Sequence, residues 1–315
     1  MAWMTGMRRR PGWLAVTTHR DRIDAVHVRR STGSMPEVTT CESYPVEANA
    51  SETLARMGRE LKTDRLHCTT VMPRQDYQLH QLEAPGVVRA ELKSAMRWRM
   101  RELIDYPVDT ATIDVLDIPA DPEAPAPEQV VFVVTARNDI IKKQMDTFDA
   151  ARIPLEVIDI AEAAQRNIAT LFEENGQGIA TLAFYEEGSM LTFTRGGELY
   201  SVRRVDATLA QLASADAGRR SAYFERIALE VQRSLDHLSR QFHYVPLSKL
   251  MLAPLPADVE LAEYLATIID IPIESMDLSR VLDTSAVPEL DNPEVQSRYL
   301  RTIGAALRDQ QGASA

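Results

Sequence analysis

The chain has few of the residues and motifs that announce chemistry. Among its 315 residues only Cys41 and Cys68 are cysteines, so a disulfide framework is excluded and two free thiols in a reducing compartment are expected. No run of eighteen apolar residues occurs, which leaves no transmembrane helix to assign. Residues 1–10 are basic but have no apolar core behind them, so they do not read as a secretory signal. Neither GxxxxGK[ST] nor GxGxxG is present, and the usual glycine-rich phosphate cradles go with them. The six histidines miss metal-ligand spacing: His237 and His243 do not stand at the i, i+3 or i, i+4 positions that share a helix face. Neither cysteine has the context of a nucleophile. Asp114 and Asp117 bracket one strand and read as edge charges. None of these patterns points to an enzyme.

What is present is a well-supplied core and a strong acidic balance. Apolar residues make up 45% of the chain and the net charge is −11. That length and apolar content fit two domains or one bilobed domain. The charge sets the molecule as a whole against nucleic acid and anionic membrane, so any such contact needs a local basic patch.

The chain is organised around residues 178–205, three apolar runs cut at turns containing glycine, which is the pattern of a β-meander. Residues 12–29 followed by 37–46 repeat it. Each meander continues into helix, strand and helix patterns, so the chain reads as two halves of similar layout. The boundary falls at 175–178, giving halves at 1–175 and 176–315. The first half carries an additional helix–strand–strand unit at about 74–153, with a proline- and acid-rich exposed loop at 119–128.

The strongest helical pattern of the first half spans residues 86–105. Val88, Leu92, Met96, Met100 and Leu103 recur on one side. Arg89, Lys93, Arg97 and Arg101 form a stripe at i, i+4 steps, with Trp98 beside it. Like charges at this spacing cost about 0.2–0.5 kcal/mol per pair, so something acidic nearby must offset them. Two readings stay open. The stripe is a solvated face paired with Glu102, Asp105 or Asp109, or it docks an acidic partner or lipid headgroups.

Three segments, LKSAMRWRMRELIDYPVDTATIDVLDIP (92–119), ALEVQRSLDHLSR (228–240) and NPEVQSRYLRTIGAALR (292–308), resemble the pilus-assembly protein family PilM, and within it the MshI type of the mannose-sensitive haemagglutinin (MSHA) type IV pilus. The resemblance implies an α/β, bilobed, FtsA-like fold of the actin-like ATPase superfamily, a duplicated ribonuclease H-like layout with a subdomain inserted in the first half. It implies a cytoplasmic protein, peripheral to the inner membrane, that binds a PilN-like single-pass protein of the assembly platform between the first subdomain and the insertion; the cationic stripe and the flat apolar surface of Trp98 separately place that partner in the groove beside Arg89, Lys93, Arg97, Trp98 and Arg101. A homodimer stays open; nucleic acid is not expected as a partner, and membrane contact would be indirect or peripheral.

Members of the family also bind ATP between the halves, and here the sequence departs from the pattern. Thr17 and His19 stand where the first phosphate loop has Asp and Gly. Phe184 and Glu186 stand in the second loop, with Glu187 next. Residues 253–257 replace a glycine-rich adenosine turn with two prolines. The acid that would organise Mg²⁺ and the glycines that let backbone N–H groups reach phosphate are both missing. The expectation is a scaffold without ATP, Mg²⁺ or other cofactor and without catalytic or metal residues. The alternatives are an actin-like ATPase with a divergent site, and the cytoplasmic actin-like piece of a type II secretion platform.

Overall fold

The computed structural model describes residues 11–47, 49–124, 129–174, 176–214, 216–256 and 259–308. The basic start, the middle of the proline-rich loop at 125–128 and the end of the chain from 309 lie outside them.

The first half opens with β1 (Trp13–Thr18), β2 (Arg22–Arg29) and β3 (Glu37–Pro45), an antiparallel meander. Helix α1 (Ala50–Leu61) follows, capped by the Asn49 side chain on the Ser51 N–H, then β4 (His67–Val71), parallel to β1. The inserted unit contains β5 (Tyr77–Glu83), α2 (Arg89–Met100), β6 (Ala111–Ile118) and β7 (Val130–Arg137), its strands ordered β5-β7-β6. Helix α3 (Asn138–Ala150), β8 (Leu155–Asp159) and α4 (Ala161–Ala169) complete the half. The second half repeats the plan with β9 (Gly178–Tyr185), β10 (Gly188–Arg195), β11 (Glu198–Val205), α5 (Leu209–Ser214), α6 (Ala217–Gln241), β12 (Leu247–Leu252), α7 (Leu261–Ala266), β13 (Ile273–Ser275) and α8 (Pro293–Ala306).

The two large sheets are built alike, β3-β2-β1-β4-β8 and β11-β10-β9-β12-β13, each an antiparallel meander continued by two parallel strands. The inner strands β1, β2, β9 and β10 are buried on both faces because both faces are covered. In β1, Leu14 and Val16 pack towards α1 and α3, while Ala15 packs towards α8. In β9, Ala180, Leu182 and Phe184 join the core under α6, while Ile179 and Ala183 join the core between the halves.

Two helices cross the expected boundary at 175. Helix α4 precedes it in sequence but lies on the second sheet, against β9, β10 and β11. Buried Gln165 fixes it there: its amide donates to Thr181 O at 2.9 Å, Met190 O at 3.1 Å and Thr192 Oγ1 at 2.9 Å. Helix α8 ends the described chain but lies on the first sheet, against β1, β2 and β4. The halves therefore share one core, in which Leu300 and Ile303 of α8 meet Ala15 and Val26. The helices touch at Gly304, where a Cβ would stand 2.2 Å from the Ala164 carbonyl oxygen.

The inserted unit is shorter than the expected 74–153. Phe148, Ala151 and Ile153 pack with Leu14, Leu54 and Met57, so the chain has returned to the first core after Arg137. Its helix is also shorter than residues 86–105: α2 stops at Met100 and the chain turns through 101–106 before Pro107, which disfavours helical geometry in the residue preceding it. One face of the small sheet holds Leu92, Met96 and Met100 of α2; Ile118 and Phe132 on the other face join the second half's core beside Tyr200 and Phe242. Glu162 of α4 ties the three parts together, accepting from Tyr77 Oη at 2.5 Å and Arg204 Nη2 at 2.8 Å. Burial pushes its carboxyl above the ordinary range in spite of the Tyr77 hydrogen bond.

Candidate functional site

The turn after β1 and the turn after β9 face each other across the cleft between the halves, and they are bonded together. Asp24 of β2 is completely buried. Its Oδ2 accepts from Arg22 Nε at 3.1 Å and lies 3.1 Å from His19 Nε2. Burial opposes ionisation of this carboxyl. The nearby polar groups of His19 and Ser43 and the charge of Arg22 outweigh it and hold the group below its ordinary value of 3.8. The same side chains reach across: Arg22 Nη2 is 2.7 Å from Glu186 Oε1, and His19 Nδ1 is 3.7 Å from Glu186 Oε2.

A second tie comes from α8. Arg301 pairs with Glu187 and lies 4.1 Å from the centre of the Tyr185 ring, a cation–π contact. The Tyr185 hydroxyl donates to Gln165 Oε1 at 2.8 Å. Thr302 of α8 bonds Thr17 at the end of β1, Oγ1 to Oγ1 at 2.9 Å.

Of the four positions singled out in the sequence, Thr17, His19 and Glu186 come together here. Phe184 does not: its side chain is 2% exposed and sits in the core under α6. The alternation of β9 puts Tyr185 on the cleft side instead. Arg22, Asp24, Tyr185 and Arg301 were not singled out. The period-2 pattern of β9 could have found Tyr185; nothing local marks Arg301, which lies 114 residues from Glu187.

Next to this network is a cavity of 540 Å³ whose lining includes Tyr185, Glu187, Leu209, Pro256, Arg298 and Arg301. Ala253 of the expected adenosine turn is core, Pro256 borders the cavity, and Ala257 lies outside the described residues. No glycine occurs between Thr17 and Arg22, so side chains shield the backbone N–H groups of that turn. Glu186 and Glu187, the acids of the opposite turn, are already paired with cations. Among the described residues no group of three His, Cys, Asp or Glu side chains is placed to hold a metal ion. The cysteines are unpaired with each other, and burial pushes the Cys41 thiol up, away from nucleophilic reactivity.

The second candidate is the outer face of α2. Its stripe is largely neutralised within the inserted unit, by groups other than Glu102, Asp105 and Asp109. Arg89 pairs with Asp117 and Lys93 with Asp114 at 3.2 Å, both on the edge strand β6. Arg97 donates to the carbonyls of Val108 at 2.8 Å and Ala111 at 3.1 Å. Trp98 is 69% exposed. Among the described residues the Arg101 side chain has no hydrogen-bond or ion-pair partner. What remains available is therefore Trp98 with Arg101.

The described residues contain no helix long and apolar enough to cross a membrane. Comparison with curated protein sequences finds no match. Among solved structures the chain is similar to the PilM-PilN type IV pilus biogenesis complex, with 19% identity over 95% of this chain and 98% of that one and a TM-score of 0.70. It is also similar to the cytoplasmic domain of EpsL, an inner-membrane component of the type II secretion system of Vibrio cholerae (15% identity, 88% and 94% covered, TM-score 0.49). A Bacteroides thetaiotaomicron protein with an actin-like ATPase fold matches at 8% identity, 93% and 99% covered, TM-score 0.48. The two equivalent sheets with exchanged helices are an actin-like ATPase fold. The family described as type IV pilus assembly protein PilM matches residues 15–192, more than half of the chain, and the chain belongs to that family.

Proposed function

We propose that this chain is a non-catalytic, nucleotide-independent scaffold of a type IV pilus assembly platform of the MSHA (MshI) kind. It works at the cytoplasmic face of the inner membrane, where it binds the short cytoplasmic segment of a PilN-like single-pass protein. The observation that carries the nucleotide-independent part is Glu186, held by Arg22 at 2.7 Å. The turn that would approach a phosphate from the second half is instead bonded to the turn of the first. Protein side chains close the cleft, and ATP is not required to do so.

The partner is held beside α2. Trp and Arg are the residue types most enriched at binding hot spots, and Trp98 with Arg101 presents both in exposed positions. Arg97 is not a useful probe, because removing it would orphan the carbonyls of Val108 and Ala111. The test is titration of the PilN-like cytoplasmic peptide into Trp98→Ala and Arg101→Glu. Each should weaken binding by tenfold or more, about 1.4 kcal/mol, while Tm stays within about 1 °C, since substitutions at such exposed sites usually fall within ~0.5 kcal/mol. Unchanged affinity in both variants would exclude this face as the partner site.

A further inference from the structure

A smaller cavity, of 270 Å³, shares Tyr185, Glu187 and Arg301 with the cleft cavity but takes no residue from the turn after β1. It lies where three parts of the molecule meet. Arg74 comes from the turn that enters the inserted unit, Arg204 from β11 of the second half, and Arg301 from α8. Ala161, the first residue of α4, also lines it, which puts the positive end of that helix's dipole beside the space.

Three guanidinium groups around one small space repel each other unless negative charge holds them. The lining supplies two carboxylates. Glu187 pairs with Arg301, and Asp206 lies 3.2 Å from Arg226, which is outside the lining. Arg204 reaches Glu162 at 2.8 Å, whose carboxyl burial pushes above its ordinary range. Arg74 makes no ion pair among the described residues. Its Nη1 donates to the Tyr77 carbonyl at 2.6 Å, and its guanidinium lies 4.9 Å from the centre of the Tyr77 ring. With these partners counted, Arg74, Arg204, Arg226 and Arg301 stand against Glu162, Glu187 and Asp206, and the charge left over is that of Arg74. The hydrogen bonds leave the same gap. Nε of Arg74 and Nε of Arg301 are both buried without an acceptor among the described residues. A buried donor without a partner is costly, more so on a charged group. A tetrahedral oxyanion has acceptors on every side and suits several arginine forks at once.

We propose that this cavity is a site for a small free oxyanion of the size and charge of inorganic phosphate, held by Arg74, Arg204 and Arg301, and that the bound anion ties the inserted unit to the second half and to α8. Its volume is below the roughly 300–1,000 Å³ of pockets that take larger organic ligands, so it suits the free anion rather than a phosphate carried on a nucleotide or a lipid. The test is calorimetric titration of sodium phosphate at constant ionic strength, with chloride as the balancing salt. Saturable binding with a Kd of about 1 mM or tighter is expected, and Tm should rise with phosphate concentration, since the ligand binds the folded state. Arg74→Gln should weaken binding at least tenfold, and Arg74→Lys, which keeps the charge but not the fork, by less. Of the two cavities Arg298 lines only the larger, so Arg298→Gln should leave phosphate binding unchanged. Selenate soaked into phosphate-free crystals of the parent protein should give an anomalous peak among Arg74, Arg204 and Arg301, a readout that stands even where an Arg74 variant fails to fold. Mg·ATP should not displace phosphate. Absence of saturable binding, unaltered affinity in both Arg74 variants, loss of binding in Arg298→Gln, or no selenate peak at the three arginines would each overturn the proposal and leave the nucleotide-independent scaffold standing. Displacement by Mg·ATP would overturn both.

Discussion

Replacing Gly304 by alanine should destabilise the protein by about 3 kcal/mol, in spite of a substitution that by helix propensity alone would gain about 1 kcal/mol. A Cβ at this position would lie 2.2 Å from the carbonyl oxygen and 2.7 Å from the carbonyl carbon of Ala164. Those atoms are backbone of α4, so no rotamer change relieves the overlap. The helices must move apart, and α4 is held to the second sheet by three donations from the Gln165 amide. Overpacking a close-packed site usually costs 1–3 kcal/mol and occasionally more. The contact lies in the core that joins the halves, so the upper end is expected, with a fall in Tm of roughly 6–12 °C. Thermal unfolding followed by circular dichroism measures it. A neutral or stabilising Gly304→Ala would show that α8 and α4 are not in the close contact described.

The second large effect is expected at Asp24. Asp24→Asn keeps the shape of the side chain and removes its charge, leaving Arg22 with Asp21 and Glu186, and His19 with Glu186. Breaking a fully buried ion pair costs about 3–5 kcal/mol. Arg22 is 20% exposed and retains Asp21 and Glu186 as partners, so about 2 kcal/mol is expected, or roughly 4–8 °C in Tm. The pH dependence follows from the lowered carboxyl pKa. A folded-state value below the unfolded one adds stability that is present in full above about pH 4 and is lost as the pH falls through the folded value. The Tm gap between the parent protein and Asp24→Asn should therefore be constant from neutral pH to about 5 and narrow below 4. A gap that widened towards acid would mean that Asp24 is protonated in the folded protein.

Much of the fold could be read from sequence because the period of apolar residues is local information. Both meanders, α1, α6 and α8 came from spacing and from glycine turns, and the similar layout of the halves followed. The exchange of α4 and α8 could not be read in this way. An amphipathic helix shows that it has an apolar face but not which sheet that face covers, and Gly304 looks in sequence like any helix glycine. The end of the inserted unit was missed for the same reason, since the apolar face of α3 does not state that Phe148 belongs with Leu14. In the cleft, Thr17, His19 and Glu186 were found through the family's loop positions, whereas their partners Asp24 and Arg301 are set by tertiary packing. On α2 the periodicity placed the cations and Trp98, but the acids that neutralise Arg89 and Lys93 come from β6, across the fold.

The central claim is that this PilM family member holds its membrane partner with the cleft closed by its own side chains and no nucleotide. Calorimetric titration of the PilN-like cytoplasmic peptide into the nucleotide-free protein, repeated in saturating Mg·ATP, tests it most directly. The account predicts saturable binding without nucleotide, an affinity that agrees within about twofold in the two experiments, and no binding heat when Mg·ATP alone is titrated. Micromolar or tighter binding of ATP, or peptide binding that requires it, would contradict the account.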